Sequence, residues 1–231
     1  MNTDVLLQRE QVEAAFISKV YGWMSAALVI TGVVAMWAAS TPAVLNAIFP
    51  ASGSMLPFYL LIGVEFGAVI FLSARINKMI AETAGIVFLV YSILNGLTLS
   101  MVFLIYTSSS IASTFLVTAA TFGVMSAYGY MTKKDLTSIG NLAFMALIGL
   151  IIGSVVNIFL QSEIMYWVIT YAGVLIFVAL TAYDTQKIKR MAAYDDTQEV
   201  SKKKSIMGAL TLYLDFVNLF LYLLRFMGDR K

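Results

Sequence analysis

Three acids and one arginine lie where an apolar chain has little use for them. Glu65 and Asp215 fall in the middle of long hydrophobic stretches, Asp184 falls near the end of another, and Arg75 closes the stretch that contains Glu65. An ionisable side chain in hydrocarbon costs several kcal/mol, so each is a candidate functional group. Asn95, Asn157 and Asn218 are amides in the same kind of setting. Two carboxylates meeting at low dielectric are not both cheaply ionised: they share a proton, hold a cation, or are compensated by an arginine. Each arrangement makes the pair respond to pH. Oxygen-only ligands suit a hard cation such as calcium, and Asp184 with Asp215 would supply part of its roughly six to eight oxygens, leaving water or backbone carbonyls to complete the set. The bland alternative has each acid satisfied separately, by Arg75, Lys187 or the amides, and serving only to pin helices together.

Composition narrows the chemistry further. Of 231 residues, 60% are hydrophobic and 12% charged, with a mean hydropathy of +0.86. A soluble domain carries about 25% charged residues, so most of this exterior must face lipid. The absence of cysteine excludes a disulfide framework, a thiolate nucleophile and thiolate-held metals. The absence of histidine removes the Ser-His-Asp triad and the side chain that ordinarily titrates near neutrality. Any pH response therefore falls to the acids. The net charge of +2 points to no nucleic-acid partner.

The elements that must position these groups are membrane helices of roughly 17 to 25 apolar residues. Seven candidates are Val20 to Ala39, Leu56 to Ala74, Ala84 to Tyr106, Ile111 to Met131, Ile139 to Leu160, Ile164 to Tyr183 and Ile206 to Met227. Residues 1–19 read as a segment ahead of one membrane domain spanning 20–231, with a highly charged loop at 185–205. Cytoplasmic loops hold the excess of Lys and Arg. Arg9, Lys19, Arg75, Lys78, Lys133, Lys134 and the cluster from Lys187 to Lys204 all fall on one side, placing the N-terminus in the cytoplasm. Arg225, Arg230 and Lys231 break the pattern unless the last helix is re-entrant. If the sixth span continues to about Arg190 and the seventh begins at Ile206, Asp184 and Asp215 lie roughly 9 Å and 13 Å from their inner ends, so the two carboxylates can meet at one depth. Asn218 follows Asp215 by three residues on the same helical face. Gly63 with Gly67 and Gly149 with Gly153 have GxxxG spacing, which reads as close helix packing, and Trp23, Trp37 and Trp167 suit interfacial anchoring.

Three stretches carry a family resemblance: Ala182-Tyr183-Asp184-Thr185-Gln186-Lys187-Ile188, Leu212 to Phe220 leading into Leu223-Leu224-Arg225-Phe226, and Gly96-Leu97-Thr98-Leu99-Ser100. With Tyr21-Gly22-Trp23-Met24 at the start, the chain resembles the Bax inhibitor-1, or transmembrane Bax inhibitor motif, family over nearly its whole length, closest to its short bacterial members. The resemblance implies an all-α membrane protein with six helices wrapped around a central seventh, and a pH-sensitive calcium leak in the bacterial cytoplasmic membrane. It assigns the gating pair to Asp184 and Asp215, the latch to Arg75 and a place in the ion pathway to Glu65. It implies calcium as the transported ion and no resident cofactor. Some bacterial relatives modulate a membrane-anchored AAA protease, so a protease-binding role without transport is the alternative.

An intramembrane aspartyl protease would also pair a Tyr-Asp with a second Asp on successive helices. That chemistry expects Gly-x-Gly before the later aspartate, where this chain has Leu212-Tyr213-Leu214. The expectation is a membrane protein that is not an enzyme. A retinal protein is excluded because the seventh span has no lysine for a Schiff base.

Overall fold

The computed structural model describes residues 3–192 and 196–231. The described residues form eight α-helices and no strand: α1 (Thr3–Ala39), α2 (Pro42–Ile48), α3 (Leu56–Arg75), α4 (Ala81–Ile105), α5 (Ser108–Met131), α6 (Thr137–Leu160), α7 (Glu163–Met191) and α8 (Gln198–Met227). All but α2 are long and apolar enough to cross a membrane, matching the seven expected spans. The short α2 lies in the Pro- and Ser-containing connection and starts with a proline at its first turn, where the fixed φ and missing N–H cost nothing. Thr107 caps α5 by accepting from Ser110 N. Gln161 ends α6 in the left-handed region, with φ 49°, and Asn157 Oδ1 accepts from Ser162 N at 3.0 Å. Asn157 is thus a turn residue rather than an amide buried mid-span.

Helix bounds shift at the charged end. α1 runs unbroken from Thr3 through what reads as a separate segment. Helix also covers most of the 185–205 stretch, because α7 continues to Met191 and α8 starts at Gln198. Hydropathy alone ends a helix where the charges begin, but the backbone continues wherever the solvated turns still hydrogen bond to themselves.

The chain divides into two compact units. The first comprises residues 1–106, 192–210 and 231. In it, α4 packs against α1 and α3, and Thr31 Oγ1 on α1 donates to Ser92 O at 2.9 Å. Trp23 lies against Gly85, where a Cβ would approach its ring to 2.8 Å, so it packs α1 onto α4. Lys203 Nζ donates to Met79 O and Ala81 N donates to Glu199 Oε1, so the start of α8 holds the turn before α4.

The second unit comprises residues 107–191 and 211–230. Its α7 packs against both α5 and α6. Two glycines make that approach possible: a Cβ on Gly129 would collide with Ala182 O, and one on Gly140 with the Tyr183 ring. The GxxxG glycines behave differently. A Cβ on Gly63, Gly67 or Gly149 meets nothing, and one on Gly153 makes ordinary contact with Ile169, so these pairs are not the close-packing sites their spacing suggests. Phe216 on α8 meets Phe115 and Phe122 of α5 edge-on at 5.5 Å and 5.4 Å.

α8 is one unbroken helix, about 45 Å long at 1.5 Å per residue. It is long and apolar enough to cross a membrane. Its three exceptional cations find partners: Arg225 stacks over the Tyr166 and Tyr222 rings, Arg230 donates to Tyr166 Oη at 3.0 Å, and Lys231 Nζ donates to Phe103 O at 2.6 Å.

Candidate functional site

The stretch 182–190 works as a ridge with a different partner at nearly every position. Ala182 meets Gly129 and Tyr183 meets Gly140. Thr185 Oγ1 donates to Thr181 O at 2.8 Å and shares a longer, 3.3 Å contact with Ser126 Oγ. Gln186 caps the start of α6, accepting from Leu136 N at 2.9 Å and donating to Lys134 O at 2.8 Å. Held within this ridge, Asp184 faces Asp215 of α8, each carboxyl lying in the electrostatic field of the other. Both are buried, at 8% and 5% exposure. Two carboxyl groups this close in a buried setting are not both cheaply ionised.

Asp215 Oδ2 has no hydrogen-bond partner among the described residues. Lys187, exposed and one turn beyond Asp184, is the cation acting on the pair from α7. Asn218 shares the expected face, but its amide donates to Leu214 O at 2.8 Å, leaving the amide oxygen as its free acceptor capacity. Among the described residues no three His, Cys, Asp or Glu side chains cluster as a metal site. A calcium ion at the pair would draw its remaining oxygens from hydroxyls, carbonyls or water.

Glu65 belongs to the first unit. Its neighbours Val64 and Phe66 point outward, at 55% and 68% exposure, whereas Glu65 is 8% exposed. It turns toward α4, where Asn95 Nδ2 donates to Oε2 at 3.1 Å and the Thr98 hydroxyl donates to Oε1. The three-residue spacing of Asn95 and Thr98 puts both on one face of α4. Asn95 was legible as an amide in a span, whereas Thr98 was visible only as part of a family segment. Thr185 and Gln186 were likewise visible only within a family segment, and Ser126 gave no signal, since hydroxyls in helices are usually satisfied by their own backbone. Arg75 ends α3 in the first unit with its side chain exposed, while both aspartates lie in the second.

Outside the spans, Asp135 Oδ1 accepts from Thr137 Oγ1 at 2.6 Å and Thr137 N at 3.0 Å, and pairs with Arg190 at 3.2 Å. The Thr137 hydroxyl, then the Thr137 N–H, and then Arg190 hold this exposed carboxyl below the usual carboxylate range.

The profile of the family described as "Inhibitor of apoptosis-promoting Bax1" matches residues 13–231. The chain is 49% identical over 231 residues to the inner membrane protein YbhL of Escherichia coli K12, covering 99% of this chain and 97% of that one. It is 45% identical over 222 residues to an uncharacterized protein of Borreliella burgdorferi, covering 95% and 94%. A third relative, from Rickettsia prowazekii, is 44% identical over 217 residues, covering 94% and 90%.

Proposed function

Because the chain belongs to the Bax inhibitor-1 family, we propose that it is a multi-pass protein of the bacterial inner membrane that leaks calcium under control of pH, its N-terminus cytoplasmic. The observation that carries this reading is the facing pair of buried carboxyls, Asp184 and Asp215, on two helices long enough to span the bilayer.

With a shared proton the pair carries one charge and ties α7 to α8. Removing that proton sets two like charges side by side, a repulsion of about 4 kcal/mol at roughly 4 Å and an effective dielectric of about 20. The strain is relieved by separating the carboxylates or by admitting a cation between them. Either response couples proton loss to ion passage. Arg75 is the proposed latch on the closed state, Glu65 and Asn218 are proposed to line the ion path, and calcium is substrate rather than cofactor.

Calcium flux into proteoliposomes tests the proposal. Flux through the native chain should vary with pH, and Asp184→Asn and Asp215→Asn should each remove that variation. Unchanged pH-dependent flux in both variants sinks the gating role. An absence of flux in the native chain, together with its co-purification with a membrane-anchored AAA protease, would favour the modulator role instead.

A further inference from the structure

The buried face of α5 carries a polar residue at almost every fourth position: Ser110, Thr114, Thr118 and Ser126, with Phe122 in the remaining place. Every-fourth positions form one continuous ridge on a helix. From Ser110 to Ser126 the ridge rises about 24 Å, most of the roughly 30 Å hydrocarbon thickness. Its two ends are acidic. At one, Ser110 Oγ donates to Asp229 Oδ2 at 3.2 Å and accepts from Asp229 N at 2.9 Å. At the other, Ser126 lies against Thr185, the residue next to Asp184.

Thr118 satisfies its hydroxyl on Thr114 O at 2.7 Å, as a helical threonine usually does. Thr114 does not. It is 0% exposed, and its hydroxyl has no partner among the described residues. Asp215 Oδ2, on α8 in the same unit, is likewise buried and unpartnered. Two orphaned polar atoms in one helical unit are costly unless both lie on a path that takes up water.

We propose that the Ser110–Thr114–Thr118–Ser126 ridge is a water-borne proton route between the end of the molecule that carries Asp229 and the Asp184/Asp215 pair, with Phe122 as its plug. This rests on the pair being the proton-sensing site proposed above. Phe122 is 5% exposed and interrupts the hydroxyls over about 12 Å of helix rise between Thr118 and Ser126. Its ring abuts Phe216, the residue following Asp215, so movement of Asp215 moves the plug's support. Each hydroxyl or water passes one proton on as it receives another, and the net transfer is one proton to the aspartate pair with no redox change.

The titratable and charged groups around the route are few. Asp184, Lys187 and Lys189 come from α7, and Lys189 is held over Tyr130 of α5 at 4.5 Å. Tyr213, Asp215, Tyr222 and Arg225 come from α8, Asp229 follows it, and Tyr128 and Tyr130 lie on α5 itself. Asp135 at the start of α6 is engaged by Arg190. None interrupts the ridge between Ser110 and Ser126.

Because the chain has no cysteine, accessibility can be read without first removing any. Thr114→Cys in proteoliposomes should react with a small water-soluble methanethiosulfonate, whereas Val124→Cys, on the 68% exposed lipid-facing side of α5, should not. Thr114→Val should slow the response of calcium flux to a pH jump about tenfold, the effect of roughly 1.4 kcal/mol on a barrier, and Thr114→Ser should restore it. A Thr114→Cys as inert as Val124→Cys overturns the route, as does an unslowed response in a Thr114→Val protein that unfolds at the native temperature. If the native chain carries no pH-dependent calcium flux but Thr114→Cys still reacts, the gating proposal fails while the water route stands.

Discussion

Replacing Thr98 by valine removes a hydroxyl from Glu65 without leaving a hole, because the two side chains are nearly the same shape. Thr98 donates to Glu65 Oε1, with only a long 3.5 Å approach to Leu94 O as a substitute. Leaving a buried acceptor without one of its donors costs about 1.5–3 kcal/mol, and the burial of Glu65 at 8% exposure leaves little water to replace it. Thr98→Val should therefore lower the unfolding temperature in detergent by about 3–12 °C, at roughly 2–4 °C per kcal/mol for a chain of this size. Glu65→Leu removes the acceptor instead. Once Glu65 is gone, adding Thr98→Val should cost almost nothing, because the group it would orphan no longer exists. The double-mutant cycle should thus show a coupling of about 1.5–3 kcal/mol. Temperature scans of the four proteins, followed by tryptophan fluorescence, measure it. Additivity to within about 0.5 kcal/mol would refute the claim that Thr98 holds Glu65 at α4.

The glycines make a contrasting pair. Gly140→Ala drives a methyl into the Tyr183 ring and should destabilise by about 1–3 kcal/mol, whereas Gly63→Ala meets nothing and should be neutral or stabilising by up to about 1 kcal/mol, both read by thermal unfolding. Asp135 gives a pH prediction outside the bilayer. Its carboxyl is held low chiefly by the Thr137 hydroxyl, so the capping stabilisation is present above the unfolded value near 3.9 and lost as pH falls through the lower folded value. Amide exchange at the start of α6, referenced to the intrinsic rate at each pH, should show protection falling below about pH 4, and Asp135→Asn should flatten that dependence. Ser110→Ala should loosen residues 228–230, seen as faster proteolysis of the tail, because Asp229 loses both its bonds to the Ser110 hydroxyl.

The seven spans were legible because hydropathy over about twenty residues is a strong signal and lipid demands it. Rise per residue put Asp184 and Asp215 at similar depths, and the family resemblance paired them. What could not be read is which way a side chain turns. Glu65 lies between two lipid-facing residues, and only the structure shows it turned to Asn95 and Thr98. GxxxG spacing misled for the same reason: small residues permit close approach but do not require it, and Gly63 and Gly67 face outward. The glycines that do admit a neighbour, Gly85, Gly96, Gly129, Gly140 and Gly173, have no such spacing. The cationic tail left a choice between crossing and re-entry; α8 is unbroken and long enough to cross.

The last residues bear on the order in which the protein is made. Asp229 bonds to Ser110, 119 positions earlier, and Lys231 bonds to Phe103, 128 positions earlier. A ribosome adding roughly 5–20 residues per second finishes α4 and α5 several seconds or more before these partners emerge. Until then the first turn of α5 lacks Asp229, and the end of α4 lacks Lys231. Insertion of the early helices and closure of this corner are therefore separate events, and ribosomes stalled within α8 should display the α4–α5 connection open to protease.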